Sequence, residues 1–377
     1  MYDVIVLGTG GVGSAAMLAC AKRGASVLGL DRFPPGHDRG SSHGESRMIR
    51  RSYFEHADYV PLVNQAFDLW DELGQRRNEQ FFHRAGLLYF GPPDGVVVPG
   101  VLKSAQDYQL VVEQLSAAES RSRFPGFVVP SDATVLFEED AGYLAVERCV
   151  CAQIEEAVQL GADHRHGETV LRWSAEQDSV VVETDRNKYT AARLVIAAGA
   201  WADGLLQKLR IPLRVVRKHV HWYANEEQAY RESNGCPCFF YETNGGCFYG
   251  FPDSEECGVK VGEHSGGTEV TDPLVDSREE EAGDTQRIQQ FLRTCLPGVS
   301  ANRIRHDVCF YTMTPDEHFI VDQHPEYGSV CFAAGLSGHG FKFTPVLGQV
   351  LAELTLDQRS SIDVDFLRLD RPGLSAS

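Results

Sequence analysis

The sequence lacks the features that mark several classes of protein. It has ten cysteines but no C-x-x-C pair, which argues against a zinc ribbon or a thioredoxin-type redox motif. It has 35 basic residues against 53 acidic ones, a net charge of −18, so it lacks the cationic surface that binds nucleic acid or anionic lipid. No repeat of fixed period and no low-complexity tract is present. We therefore expect no metal site, no nucleic-acid partner and no membrane partner.

Long hydrophobic runs are also scarce. The one long uncharged run, from Val4 to Ala21, is interrupted by four glycines and has no basic residue before it, unlike an export signal or a membrane span. With no export signal and no need for disulfide bonds in a chain of 377 residues, we expect reduced thiols and a cytoplasmic protein. The 43% hydrophobic and 23% charged content is that of a globular protein, and the length corresponds to about two domains.

A nucleotide-binding motif stands near the start. The apolar strand Tyr2–Leu7 leads into Gly8-Thr9-Gly10-Gly11-Val12-Gly13, a G-x-G-x-x-G, followed by a helix predicted over 14–23 and a strand over 26–30 that ends at Asp31. Glycines at these positions allow a tight turn and let a pyrophosphate approach the positive end of the helix. Asp31 is placed to accept hydrogen bonds from a ribose, with Arg32 beside it. The motif predicts a dinucleotide site but does not distinguish FAD from NAD.

Similar strand–glycine–helix units occur later in the chain. One is Arg193–Gly199, followed by Ala200-Trp201-Ala202, and another is Val330–Ala334, followed by the glycine-rich residues 335–340 and by a helix with Pro345 in its first turn. The intervening segments instead show alternating patterns typical of antiparallel sheet. We predict an α/β plus α+β protein in which a Rossmann-like domain (1–83, 142–213 and 315–377) holds the dinucleotide. The rest of the chain is predicted to form an inserted, mostly antiparallel substrate domain (84–141 and 214–314). Within this domain we expect a surface helix over 276–296.

Basic residues cluster between Gly40 and Tyr53, in the stretch that contains Ser42-His43-Gly44-Glu45-Ser46-Arg47 and Arg50-Arg51. In an acidic chain this cluster suggests an anionic target, although a solvated run of surface charge is an equal alternative from these residues alone.

Two C-terminal motifs decide between these alternatives. They are residues 306–319, HDVCFYTMTPDEHF, and residues 335–343, GLSGHGFKF. With the N-terminal motif and the basic cluster, they make the chain resemble the monomeric sarcosine oxidase and N-methyltryptophan oxidase family of FAD-dependent amine oxidases over nearly its whole length. The resemblance implies a monomer that binds FAD, a small N-methyl amino acid and oxygen.

The resemblance implies a role for individual residues. Cys309 matches the cysteine that the family links to the flavin, and the bond requires a nucleophilic thiolate. Arg50 and Lys342 match the two residues that bind the substrate carboxylate. Lys260 matches the lysine at which oxygen is activated, where a buried cation stabilises a superoxide-like anion. Taken without the resemblance, Cys309 is one buried thiol among ten and both lysines are unremarkable.

Further residues match the surroundings of the flavin and the substrate. His43 and Arg47 match positions under the flavin ring, where positive charge favours the reduced anion. Tyr249, Tyr311 and His264 match the substrate pocket, although each is also compatible with ordinary core packing. The predicted cofactor-binding set is Gly8, Gly10, Gly11, Gly13, Asp31, Arg32, Ser42, Trp201, Cys309, Gly338 and Gly340.

The sequence departs from the family at the substrate pocket. Phe240 stands where the sarcosine-specific members have methionine, and the stretch Gly262–Gly267 is closer to the N-methyltryptophan branch. We predict an oxidase that demethylates N-methyl amino acids to the primary amino acid, formaldehyde and hydrogen peroxide. The alternatives are an N-methyltryptophan oxidase, an oxidase of cyclic imino acids such as pipecolate or proline, a NAD-dependent dehydrogenase, and a catalytically silent flavin-binding protein.

Overall fold

The computed structural model of the protein describes residues 1–176, 179–254 and 257–374. Within these ranges the strands, numbered β1 to β20 in chain order, are Tyr2–Leu7, Val27–Leu30, Ser46–Ile49, Phe82–His83, Leu87–Gly91, Glu113–Leu115, Thr134–Glu138, Gly142–Ala145, Asp163–Arg165, Val170–Ala175, Val180–Thr184, Lys188–Ile196, Arg214–Tyr223, Cys238–Thr243, Gly246–Phe251, Val259–Glu263, Thr268–Val270, Arg303–Met313, Ile320–Gln323 and Val330–Ala334. The helices α1 to α8 are Gly11–Lys22, Tyr59–Arg77, Val97–Tyr108, Ala117–Arg123, Val146–Gln159, Ala202–Leu206, Ala282–Cys295 and Thr344–Asp357. Short 3-10 helices occupy Gly199–Trp201, Gln207–Leu209, Gln228–Tyr230, Glu232–Asn234, Phe341–Phe343 and Asp365–Leu367.

The first sheet has eight strands and a parallel centre. Strands β9, β2, β1, β12 and β20 pair in parallel, in that order, and β11, β10 and β19 add antiparallel pairings. Its strands come from three separated parts of the chain. Along β1, Val4 and Val6 belong to a core shared with α1, α2, α5 and α8, and Ile5 and Leu7 belong to a second core on the other face. Burial on both faces explains why β1 is apolar without alternation.

The second sheet has nine strands in the order β17-β13-β16-β15-β14-β5-β7-β6, with β18 also paired to β13. All its pairings are antiparallel except that between β14 and β5. A small third sheet, β3-β8-β4, is antiparallel throughout. The first and second sheets thus draw on alternating parts of the chain, as an inserted domain requires, while the exact domain boundaries stay a prediction.

The β1-α1-β2 unit forms as the glycine motif predicts, but α1 begins earlier than expected. The helix begins at Gly11, inside the motif, with Gly10 as its N-cap, and the following strand begins at Val27. Gly13 lies in the first turn, where a Cβ would stand 1.7 Å from the carbonyl oxygen of Gly8. Only glycine permits this contact, and it brings α1 close to the end of β1.

The surface helix expected over 276–296 is shorter than predicted. It begins only at Ala282, and in the segment before it Asp276 and Glu281 bind the buried guanidinium of Arg217. The sequence pattern does not reveal this pairing, since Arg217 lies about 60 residues away.

Neither a membrane-spanning helix nor a metal-binding cluster is present in the described part of the chain. None of the helices there is long and apolar enough to cross a bilayer. Among the same residues, no group of three or more histidine, cysteine or acidic side chains is arranged to hold a metal ion.

Candidate active site

One elongated cavity of about 440 Å³ lies between the two large sheets. Its walls combine the end of β1, the start of α1, the segment between β2 and β3, the turn after β12, β18 and the glycine-rich loop after β20. Of the predicted site residues, the cavity is lined by Gly8, Gly10, Gly11, Asp31, Arg32, Ser42, Arg47, Arg50, Trp201, Phe240, Tyr249, His264, Tyr311, Gly338, Gly340 and Lys342. Gly13, His43, Lys260 and Cys309 lie behind the wall rather than in it.

The first end of the cavity is built from the glycine motif and Asp31. The Asp31 carboxylate accepts hydrogen bonds from the backbone nitrogens of Thr9 (2.7 Å) and Phe33 (2.9 Å), which fix its orientation beside the motif. The hydroxyl of Ser42 accepts a hydrogen bond from the first-turn nitrogen of Gly11 at 3.1 Å. A carboxylate can accept more than two bonds, so Asp31 retains capacity for a ribose hydroxyl.

Three buried polar atoms of cavity-lining residues have no hydrogen-bond partner. They are the indole nitrogen of Trp201 and the hydroxyl oxygens of Thr312 and Thr344. Burying a polar group without a partner costs free energy, so such atoms indicate a missing ligand. Together with the helix N-terminus and Asp31, they fit a large polar cofactor such as FAD.

The loop after β20 forms another wall. Gly338 has φ +79°, and a Cβ at this position would lie 2.3 Å from the ring of Tyr311. Glycine therefore lets the loop backbone lie against β18 at the centre of the cavity. His339, in the same loop, contacts the hydroxyl of Tyr53 through Nδ1 and the carbonyl oxygen of Glu317 through Nε2, and burial lowers its pKa to about 3.

Arg50 stands at the far end of the cavity and is already paired. Its Nη2 donates to both carboxylate oxygens of Glu55, at 2.7 and 2.6 Å, and its guanidinium lies 4.3 and 4.2 Å from the ring centres of Tyr53 and Phe54. Burial raises the pKa of Glu55, but the charge and hydrogen bond of Arg50, together with His339 and Lys342, outweigh this effect and lower it to about 2. The predicted binder of a substrate carboxylate thus has an internal carboxylate as its partner.

Lys342 is the second cation at this end. Its Nζ donates to the carbonyl oxygen of His339 at 2.7 Å, and its own carbonyl oxygen accepts from the indole of Trp70 at 3.0 Å. Burial and the charge of Arg50 lower the pKa of Lys342 to about 7. Lys342 therefore changes charge in the neutral pH range.

Aromatic rings enclose the space beside these cations. His264 lies 5.7 Å from Phe240 and from Tyr311, and 6.4 Å from Tyr249, between ring centres. Burial lowers the pKa of His264 to about 4 and raises that of Tyr249 to about 12, so both are neutral at physiological pH. Met48 and Phe251 complete the apolar wall.

His43 does not supply the positive charge expected of it. It is 2% exposed, and neither ring nitrogen has a hydrogen-bond partner. Burial and the neighbouring charge of Arg47 lower its pKa to about 3, so the imidazole is neutral. Arg47 lines the cavity, donates to the carbonyl oxygens of Ser41 (2.8 Å) and Ser46 (2.9 Å), and supplies the positive charge that His43 lacks.

Lys260 and Cys309 are both 2% exposed. The Lys260 ammonium donates to the carbonyl oxygen of Gly44 (2.5 Å) and to the carbonyl and hydroxyl oxygens of Ser46 (2.7 and 3.0 Å). Burial and the charge of Arg47 lower the pKa of Lys260 well below its usual value. The three acceptors favour the charged ammonium, however, because it has three N–H groups to donate and a neutral amine has only two. Cys309 packs with Val220 and Trp222.

The sequence suggests that Glu55, beside the basic cluster, and the loop 335–340, which contains His339, belong to the site, but it gives no partner for either side chain. The structure pairs Glu55 with Arg50 and His339 with Tyr53, and it adds three further residues. Glu168, Val170 and Leu171 line the first end of the cavity and come from the segment around β9 and β10. No sequence signal marks these three, because their position depends on the pairing of β9 with β2.

Comparison with known proteins identifies the family. The sequence profile described as FAD dependent oxidoreductase matches residues 3–354. The chain is 38% identical to monomeric sarcosine oxidase of Arthrobacter sp. (strain TE1826), over 99% of this chain and 97% of the relative. It is 37% identical to N-methyl-L-tryptophan oxidase of Salmonella arizonae, over 98% and 99% of the two chains.

The chain belongs to the FAD-dependent oxidoreductase family. Among solved structures, it is similar to NikD, described as an unusual amino acid oxidase essential for nikkomycin biosynthesis, with a TM-score of 0.87, 26% identity and 97% of each chain covered. Glycine oxidase of Geobacillus kaustophilus shares the fold, with a TM-score of 0.82 at 19% identity and 98% of each chain covered.

Family membership confirms the predicted resemblance and the prediction of an FAD-dependent amine oxidase that uses oxygen. It also favours FAD over NAD as the dinucleotide that the glycine motif binds.

Proposed function

We propose that the protein oxidatively demethylates N-methyl amino acids. The reaction consumes the N-methyl amino acid, oxygen and water, and yields the primary amino acid, formaldehyde and hydrogen peroxide. The observation that carries this proposal is the pair of buried cations, Arg50 and Lys342, at the aromatic end of a cavity whose other end holds a dinucleotide motif. The sarcosine and N-methyltryptophan oxidases among the relatives support the same substrate class.

The two cations bind and orient the substrate carboxylate. Arg50 offers a planar guanidinium held between two aromatic rings, and Lys342 adds a point charge from the glycine-rich loop. Holding the carboxylate at one end directs the N-methyl group toward the middle of the cavity. Such orientation supplies a large part of the rate acceleration in reactions of this type.

The neutral aromatic wall determines the protonation state of the substrate. His264 and Tyr249 stay uncharged, so neither stabilises an ammonium as a carboxylate would. The apolar surroundings favour the free amine, which is the form with the lone pair needed for oxidation. Bound FAD would supply the acceptor for the two electrons of the C–N oxidation, with oxygen as the final oxidant. Lys260 and Arg47 are proposed to provide positive charge next to it, and His43 a neutral packing surface.

Cys309 is proposed as the covalent attachment point of the flavin. It lies on β18 two residues before Tyr311, on the same face of the strand, and Tyr311 lines the cavity. Acid precipitation tests the bond. We expect a yellow pellet from the wild-type protein and from Cys151→Ser, and a colourless one from Cys309→Ser. A colourless wild-type pellet contradicts the proposal.

Which of the alternative amines the enzyme oxidises depends on the cavity wall around Phe240. The centre of this ring lies 5.2 Å from that of Phe54, and the ring forms part of the cavity wall. An oxygen-electrode screen of sarcosine, N-methyltryptophan, other N-methyl amino acids, pipecolate and proline decides the branch. We expect an N-methyl amino acid to give the highest kcat/KM, with peroxide released in equal amount to the oxygen consumed.

Two measurements separate this function from its alternatives. Anaerobic addition of an N-methyl amino acid bleaches the flavin of an oxidase and leaves that of a silent binding protein unchanged. Peroxide release with oxygen as the only acceptor excludes a nicotinamide-dependent dehydrogenase. By analogy with its relatives we further propose a monomer, which light scattering of the purified protein tests, and we retain the expected cytoplasmic location and the domain boundaries as proposals.

A further inference from the structure

An interruption in the second sheet lies directly beside the substrate end of the cavity. Strand β13 pairs with β16 through residues 220–223 and with β17 through residues 215–217. Between these pairings, Lys218 and His219 face no strand on that side, because the chain from β16 to β17 turns away over residues 264–267. The carbonyl groups of this turn therefore have no ladder partner and need another donor.

Lys218 supplies that donor. Its Nζ lies 3.2, 2.6 and 3.0 Å from the carbonyl oxygens of His264, Ser265 and Gly266, in that order. The residue is 3% exposed, so these bonds form away from water. Three acceptors match the three N–H groups of an ammonium, and bonds to a charged donor are about twice as strong as neutral ones.

The turn held by Lys218 carries a wall of the cavity. His264 is its first residue, and its imidazole lines the cavity between Phe240, Tyr249 and Tyr311. Direct support for the ring itself is weak, because its one hydrogen bond to a side chain, with the Tyr311 hydroxyl, is 3.4 Å long. The position of the ring therefore depends on the backbone below it.

We infer that Lys218 is a positioning residue whose ammonium fixes the turn 264–267 and thereby sets His264 in the wall of the substrate site. The inference rests on the proposed function for the identity of the substrate.

The charge of Lys218 also reaches His264. Burial is the main cause of the low pKa of His264, and the Lys218 ammonium lowers it further. Burial lowers the pKa of Lys218 itself to about 8. Deprotonation of Lys218 removes one of the three donors, so ligand binding acquires a pH dependence that a purely structural lysine on the surface does not produce.

Ligand titration of the holoenzyme tests the inference. Benzoate is a carboxylate without an oxidisable amine, and its binding is read from the flavin absorbance spectrum. We expect Lys218→Met to raise the Kd of benzoate about tenfold, Lys218→Arg to restore part of the affinity, and the exposed Lys103→Met to change nothing. In turnover, KM should rise more than kcat falls. Carboxylate affinity should still fall above about pH 7 in Lys218→Met, because Lys342 titrates there, but the further loss near pH 8 that the wild-type protein shows should be absent.

A double-mutant cycle separates this role from a general loss of stability. If Lys218 acts through His264, then Lys218→Met has little effect in a His264→Ala background. Equal tenfold losses in both backgrounds overturn the inference. Should Lys218→Met not yield folded holoenzyme, Lys218→Gln carries the same cycle. Failure of the proposed function is distinguishable, because the wild-type protein then oxidises no N-methyl amino acid while the benzoate titrations still report on His264.

Discussion

At the scale of the single residue, the site contains a competition between two carboxylates. Glu55 binds Arg50 through both of its oxygens, and the proposed substrate brings another carboxylate to the same guanidinium. Arg50 is buried and Glu55 is partly buried, with side chains 4% and 15% exposed, so solvent screens their attraction less than it screens a surface ion pair. A ligand carboxylate must therefore share Arg50 with Glu55 or displace it.

Removing the charge of Glu55 is expected to tighten the binding of simple carboxylates. We predict that Glu55→Gln lowers the Kd of acetate about tenfold at about pH 6, because Arg50 is no longer neutralised by a neighbour. The flavin absorbance of the holoenzyme provides the measurement, and the surface variant Glu79→Gln is the control. Weaker binding would mean that Glu55 serves chiefly to orient the guanidinium.

Lys342 gives acetate binding a pH dependence of defined sign. An anion binds better to the protonated lysine, whose pKa is about 7 in the free protein. The Kd of acetate should therefore be constant below about pH 6 and rise above about pH 7, by up to tenfold per pH unit, until the pKa of the complex is reached. Lys342→Met should bind acetate weakly and should lose the rise of Kd between about pH 6 and pH 7.5, while any change near pH 8 belongs to Lys218. A variant that keeps the wild-type slope around pH 7 would assign that titration to another group.

At the scale of the element, the strand pair β13–β18 has a different chemistry on each face. One face carries Lys218 and Cys309, which are direct partners in the register, together with Tyr311, which lines the cavity. The opposite face carries His219 and His306, whose ring nitrogens are 2.8 Å apart, and it packs against α7. Only one of two facing ring nitrogens can donate in a neutral pair, so protonating both histidines destroys their hydrogen bond.

The histidine pair predicts that the protein loses stability on acidification. Burial and the nearby charges of His221, His219 and Arg303 lower the pKa of His306 to about 4, against about 6.5 in an unfolded chain. The unfolded state therefore binds more protons as the pH falls below about 6.5, and the free energy of unfolding decreases down to about pH 4.

Because His306 is partly exposed, we expect its share to be about 1 kcal/mol between about pH 7 and pH 5. Urea unfolding at the two pH values measures it. In His306→Gln the loss should be smaller by that amount, whereas in the exposed His166→Gln it should equal the wild-type loss. An unchanged loss in His306→Gln would assign the acid sensitivity to other buried histidines.

The elements of the nucleotide end were predictable, and the pairings of the site were not. The glycine motif places β1, α1 and Asp31 because each glycine answers a local steric demand, such as that between Gly13 and Gly8. The motif around Gly338 likewise identified a cavity wall. In contrast, three features of the site depend on burial and on residues that the tertiary fold brings together. They are the bond between Arg50 and Glu55, the neutral state of His43, and the contact of Lys218 with the turn 264–267. No pattern along the chain encodes them.

At the scale of the whole molecule, the cofactor cavity lies between the two large sheets, so its occupant contacts both. The protein is acidic overall, yet the cavity is lined by Arg47, Arg50 and Lys342, which suits an anionic dinucleotide and an anionic substrate. A group bound between the sheets stabilises the folded state as a whole, because unfolding either sheet destroys its site.

This arrangement predicts how the melting temperature responds to added FAD. If Cys309 holds the flavin covalently, the Tm of the wild-type protein is independent of free FAD, because no site is left to fill. In Cys309→Ser the cofactor exchanges, and FAD at one hundred times its Kd should stabilise the protein by about 2.7 kcal/mol, or about 3 °C for this length. Differential scanning calorimetry with and without FAD makes the comparison, and Cys151→Ser should behave as the wild type. An equal rise of Tm in the wild-type protein would show that its flavin is not attached.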